Sequence, residues 1–194
     1  MAPMEAPPIT DEALLQRYAG GEVAAFDELY DRHERPLWRY VLRACGDRAA
    51  AEELTQEVWF AVAREAPKLA AAGRFVPWLY TVARNRVIDR ARMSRRTVSL
   101  DEPAIEGGEA RVALLEDPAG TTPDEDVVAD EQGRAILEAL AQLPADQREA
   151  FVLQADAGLT VEEIATITGT GFETAKSRLR YARERLKRLL RAYA

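Results

Sequence analysis

The residues best suited to chemistry in this 194-residue sequence are cationic, and they come in two clusters. Over residues 172–194, Lys176, Arg178, Arg180, Arg183, Arg185, Lys187, Arg188 and Arg191 are set against only Glu173 and Glu184, a net of +6. Over residues 74–96, seven arginines stand against Asp89 alone, again +6. Such cations hold phosphate oxygens, and the planar arginine fork also fits the paired acceptors of guanine. The 74–96 cluster includes Phe75, Trp78 and Tyr80, and flat rings beside positive charge suit unstacked bases. Core packing accounts for the same rings, and for Trp78 it is the favoured reading.

Other chemistries have little to work with. Cys45 is the only cysteine and His33 the only histidine, so a disulfide within the chain and a Cys/His zinc site are not expected. Cys45 reads as a buried structural thiol near a helix end, and Tyr30 and Leu37 place His33 on a helix flank. The carboxylates lie in polar runs with no Gly-rich phosphate loop. The expectation is a binding protein without cofactor, metal or enzymatic activity.

The elements that must position the two clusters are helices. Ala, Leu, Glu and Arg dominate, β-branched runs are short, and no strand-like alternation persists. The fold class predicted is all-α. Residues 159–190 divide into two helices around a turn. Thr160 caps the first, with Glu162 and Glu163 in its first turn and Val161, Ile164, Ala165 and Ile167 as its apolar face. Gly169 and Gly171 supply a permissive backbone for the turn. In the second helix, Phe172, Ala175, Leu179, Ala182, Leu186 and Leu189 share one face. Two short helices, a glycine turn and a basic second helix predict a helix-turn-helix.

Upstream, residues 1–10 read as a disordered N terminus without signal-peptide character. A short helix, DEALLQRYA, precedes Gly20. A longer one, from about residue 22 to 44, contains Pro36, which is expected to kink or interrupt it. A third runs from Arg48 to about Ala66, closed by Pro67, with residues 68–73 as a loop. A fourth begins near Val76 with Pro77 in its first turn. Residues 97–130 are rich in Pro, Gly and acids, and residues 97–133 carry a net −10; they read as a flexible linker. Two more helices, around Ile136–Leu143 and QREAFVLQADAG, complete a second cluster, with Asp146 as the expected cap. The predicted organisation is one helical domain over residues 11–96, an acidic linker over 97–130, and a second helical domain over 131–194. The net charge of −7 hides two basic islands parted by an acidic band. That band is expected to lie over the basic helices in the free protein.

In this order the segments AFDELYDRH, AEELTQEVWFAVAR, FVPWLYTVARNRVIDRAR and LPADQREAFVLQADAGLTVEEIATITGTGFETAKSRLRYARERL resemble a bacterial RNA polymerase sigma factor. The resemblance is to the sigma-70 family and its small extracytoplasmic-function (ECF) type, over nearly all of residues 11–191. It implies two small domains, sigma region 2 and sigma region 4, that bind core RNA polymerase through its β′ clamp and β flap. Glu53, Leu54, Gln56 and Glu57 match the set that docks on polymerase. Arg74, Phe75, Trp78, Arg84, Asn85 and Arg86 match the part that meets the promoter −10 element and holds the strand open, with Asn85 at a pocket for a flipped base. Thr174, Lys176, Ser177, Arg178, Arg180, Tyr181 and Arg183 match the helix presented to −35 duplex DNA. The resemblance further implies an anti-sigma partner, a cytoplasmic location and no membrane insertion. The sequence departs from the family pattern at Thr168, where an apolar residue is commoner, at the proline-free GTGF turn, and at Ala63, where many members have an aromatic.

Two rival readings remain. One is a helix-turn-helix regulator that acts without being a polymerase subunit. The other is a protein-binding helical adaptor whose basic helices meet acidic partners.

Overall fold

A computed structural model of the chain describes residues 9–98 and 131–191. Most of the expected N-terminal tail and nearly all of the expected linker, with the expectation that it covers the basic helices, lie outside the described residues. Within them the structure is helical: α1 (Asp11–Ala19), α2 (Val23–Cys45), α3 (Arg48–Ala72), α4 (Phe75–Val98), α5 (Glu131–Ala141), α6 (Ala145–Ala157), α7 (Val161–Thr168) and α8 (Phe172–Leu190).

Local chemistry sets most of the ends. Thr10 and Asp47 cap α1 and α3 by accepting from the backbone N–H of Ala13 and Ala50. Pro144, not Asp146, is the N-cap of α6; Asp146 sits in its first turn, where a carboxylate favours the positive helix end. Both interior prolines are absorbed. Helix α2 continues through Pro36, and α3 continues through Pro67 to Gly73, so residues 68–72 are helix and not loop. A helix-interior proline costs about 3 kcal/mol. Leu29, Leu37, Tyr40 and Val41 bury both sides of the first, and Ala66 and Leu69 both sides of the second. At roughly 1.5–3 kcal/mol per buried leucine-sized side chain, that anchoring outweighs the missing bond at Pro36, and at Pro67 Leu69 and Ala66 offset much of it.

Helices α1–α4 pack around Leu14, Leu15, Leu29, Leu37, Val41, Val58, Val62, Phe75 and Leu79. In the second group, Leu153, Ile164, Ala175 and Leu179 join α6, α7 and α8, while Ala139, Leu140 and Leu143 of α5 meet Ala182 and Leu186 of α8. The groups are not isolated. Helix α6 lies against α2, and α7 against α4, so the apolar core is continuous between them.

Candidate nucleic-acid and polymerase interfaces

The helix-turn-helix is built largely from its own short-range bonds. Thr160 and Glu163 form a reciprocal capping box at the start of α7. Gly169 ends α7 in the left-handed region at φ 66°, and the Thr170 N–H returns to the Ala165 carbonyl at 2.9 Å. Gly171, by contrast, is extended at φ −73°, a conformation any residue adopts. Thr168 is buried, yet its hydroxyl donates to the Ile164 carbonyl at 2.7 Å and pairs with Thr170 at 3.0 Å. That bonding is how a polar residue occupies a usually apolar place.

Helix α8 sorts its side chains into three bands. Ala175, Leu179, Ala182 and Leu186 are buried. Arg178 and Arg183 flank that stripe and reach back to α6: Arg178 donates to Asp146 at 2.6 Å, and Arg183 to Gln154. Thr174, Lys176, Ser177, Arg180 and Tyr181 lie on the remaining, outward side. The Arg180 guanidinium sits 4.6 Å over the Tyr181 ring, and Lys176 covers Phe172. Phe172 is 41% exposed and is not part of the buried inward face expected of it.

Helix α4 departs further from expectation. Phe75 is fully buried, its ring edge-on to His33 with centroids 5.4 Å apart. It is a core residue, because the first turn of α4 points into the α1–α3 packing. Tyr80 is buried against Tyr40, and Trp78 is half-buried on the core. Arg84 is held by Glu149 of α6 at 3.0 Å. Arg86 and Arg90 pair with Glu57 and Glu53 of α3 at 3.2 and 2.6 Å. Asn85 and Arg74 are exposed.

On α3, Glu53, Gln56 and Glu57 are exposed, while Leu54 is only 4% exposed and belongs to the core. Helical spacing places Leu54 on the same stripe as Val58 and Ala61, which no partner outside can reach. Beside the exposed acids runs a groove between α1, α2 and α3, with Tyr18, Phe26, Tyr30, Trp38 and Trp59 in its wall and Phe60 66% exposed at its rim. The polymerase and −10 candidates are thus neighbours, joined by the Glu57–Arg86 pair, with Glu53–Arg90 one turn further along α4.

Two other singular residues have structural settings. His33 meets Asp11 at 2.7 Å; Cys45 is half-buried, not fully buried as expected, donates to the Asp47 carbonyl at 3.3 Å, and burial pushes its thiol above the ordinary range. Glu149 is the buried acid that the residue pattern did not reveal. It is 8% exposed, accepts from Arg84 and from the Tyr40 hydroxyl, and burial pushes its carboxyl above the usual range against the pull of Arg84. Its only sequence signal is the run of apolar neighbours Ala150, Val152 and Leu153.

One helical group closes in a helix-turn-helix, and the other presents a basic helix face beside an acidic one. Comparison gives the family. Sigma-70 region 2 matches residues 29–97, and Sigma-70, region 4, matches residues 133–186. Among curated relatives, the ECF RNA polymerase sigma factor SigK of Mycobacterium tuberculosis is 33% identical over 180 residues, 92% of each chain. SigL of the same species is 38% identical over 168 residues, 84% of this chain and 88% of that one. The sigma factor RpoE of Bartonella quintana, solved with the anti-sigma factor NepR, superposes with a TM-score of 0.59 at 26% identity, covering 85% of this chain and 95% of that one. CnrH, solved with the cytosolic domain of CnrY, shares the fold at TM-score 0.59 and 22% identity, covering 95% and 99%. The chain belongs to the ECF group of the sigma-70 family, and it is a promoter-directing RNA polymerase sigma factor. Among the described residues, no helix is long and apolar enough to cross a membrane.

Proposed function

We propose that residues 11–96 form the unit that docks core polymerase and engages the −10 element, and that residues 131–194 form the unit that engages the −35 element. Polymerase docking falls to Glu53, Gln56 and Glu57, with Leu54 supporting them from the core and the aromatic groove alongside. Strand opening falls to the outward side of α4, where Asn85 and Trp78 lie between Arg74 and the flanking Arg84 and Arg86. Duplex reading falls to Thr174, Lys176, Ser177, Arg180 and Tyr181, while Arg178 and Arg183 chiefly anchor α8. Acting by binding and not by catalysis, the protein works in the cytoplasm with polymerase and promoter DNA. It also takes an anti-sigma partner, as the solved RpoE of Bartonella quintana does.

The observation that carries this reading is the three-way sorting of α8, which separates anchoring arginines from an outward polar band of the kind that enters a major groove. Run-off transcription with core polymerase on genomic fragments tests it. The wild-type chain should start RNA at discrete sites. Arg180→Ala should weaken that initiation by roughly the 1–3 kcal/mol of a bidentate base contact, with thermal stability unchanged. Arg178→Ala should lower the melting temperature. Absence of any initiation with the wild-type chain overturns the reading.

A further inference from the structure

The contact between the two helical groups is polar where it bears on function. Glu149 reaches from α6 to Arg84 of α4 at 3.0 Å and to Tyr40 of α2 at 3.2 Å. Nearby, Arg43 of α2 donates to Asp156 of α6 at 2.5 Å, with both side chains about three-quarters covered. Tyr40, Arg43 and Ala44 face Ala145, Arg148 and Val152 across a narrow crevice around Glu149. A carboxylate covered this far has lost its water, and it keeps its charge only through the groups that donate to it. Arg84 is therefore committed here, although it lies on the helix assigned above to the −10 element.

We propose that these two ion pairs form a latch that holds the free chain closed, and that the latch competes with single-stranded DNA for Arg84. The competition rests on the reading of α4 as the −10 surface; the latch does not. The chemistry suits a reversible closure. Contacts between domains of one chain are commonly polar and allow relative motion. When the groups part, Glu149 and Asp156 recover their hydration, and a DNA phosphate offers Arg84 an equivalent acceptor. The apolar contacts that continue the core between the groups give neither release, so opening costs their burial and the polar pairs are the part that can be exchanged. DNA binding by the free chain then requires opening, and its apparent affinity falls by the fraction of chains that are open.

The test uses the full-length protein and substitutions outside the DNA-facing set: Arg43→Asp, Asp156→Arg, and the double exchange of both. Small-angle X-ray scattering reads compaction, and fluorescence anisotropy with a labelled random-sequence single-stranded 12-mer at 50 mM salt reads DNA binding. Circular dichroism confirms that each variant is folded. Each single reversal should increase the radius of gyration and raise DNA affinity roughly 5–30-fold, the range of a one- to two-kilocalorie shift. The double exchange should restore both to wild-type values. The charge changes separate the latch from simple electrostatics, since Arg43→Asp makes the protein more acidic and Asp156→Arg more basic. Affinity that falls in the first and rises in the second, following net charge alone, overturns the proposal. A wild-type chain already extended, or single variants as compact as wild type, overturns the latch itself. Opening without any gain in DNA affinity overturns the competition and places the failure in the −10 reading of α4.

Discussion

Phe75 offers the sharpest separation between a residue that touches DNA and one that builds the surface touching it. Family pattern places it in the −10 set, yet its side chain is 0% exposed and packs edge-on to His33. Phe75→Ala leaves a ring-sized cavity, and such truncations cost about 3–5 kcal/mol. That range already includes the edge-to-face attraction between the two rings. For a unit the size of α1–α4, each kcal/mol moves the melting temperature by about 4–8 °C, so a fall of roughly 12–40 °C is expected. Phe75→Leu fills most of the space and should cost about 1.5 kcal/mol or less. The assay is far-UV circular dichroism melting of the full chain, paired with single-stranded DNA binding at a temperature where each variant remains folded. Stability should collapse in the alanine variant, while binding by its folded fraction stays near wild type. An unchanged melting temperature with DNA binding abolished would refute the burial argument and return the ring to the DNA surface.

Two further outcomes follow from local geometry and charge. Gly169→Ala meets no neighbouring atom, but it forces a Cβ onto a backbone at φ 66° and should cost roughly 1–2 kcal/mol, read as a lower melting temperature; Gly171→Ala, at φ −73°, should change little. Burial alone would raise the Asp11 pKa, but the hydrogen bonds and charges of His33 and Arg32 overcome it and hold the carboxyl below its usual range. The stability Asp11 adds is therefore present above the ordinary carboxylate pKa and is lost as pH falls through the lowered value. Denaturant titrations from about pH 5 downward should show a steeper acid loss in wild type than in Asp11→Asn, and parallel curves would contradict the assignment.

Much of the architecture was legible because it depends on neighbours within a turn or two. Thr10, Asp47 and Thr160 bond to backbone three residues on, and Gly46, Gly158 and Gly169 end helices through their own dihedrals. The inward stripe of α8 follows from spacing alone, apart from Phe172 at the helix start, which is 41% exposed. Prolines misled for the opposite reason. Their local cost is real, but Leu37 and Leu69 are buried by helices far away in sequence, and no window around Pro36 or Pro67 contains that information.

The site divides along the same line. By itself the sequence determined the two basic islands and the helix-turn-helix, since charge and periodicity are properties of the chain; the membership of each candidate set was implied by the family resemblance. Which members of those sets are available was decided only by tertiary structure. Phe75 and Leu54 went into the core, Arg178 and Arg183 were bonded back to α6, and Arg84 was taken by Glu149, sixty-five positions away. An arginine reads the same in sequence whether its partner is a phosphate or a buried carboxylate. Only packing removes water from one face of a helix, and with the water gone each charge must find its partner within the protein.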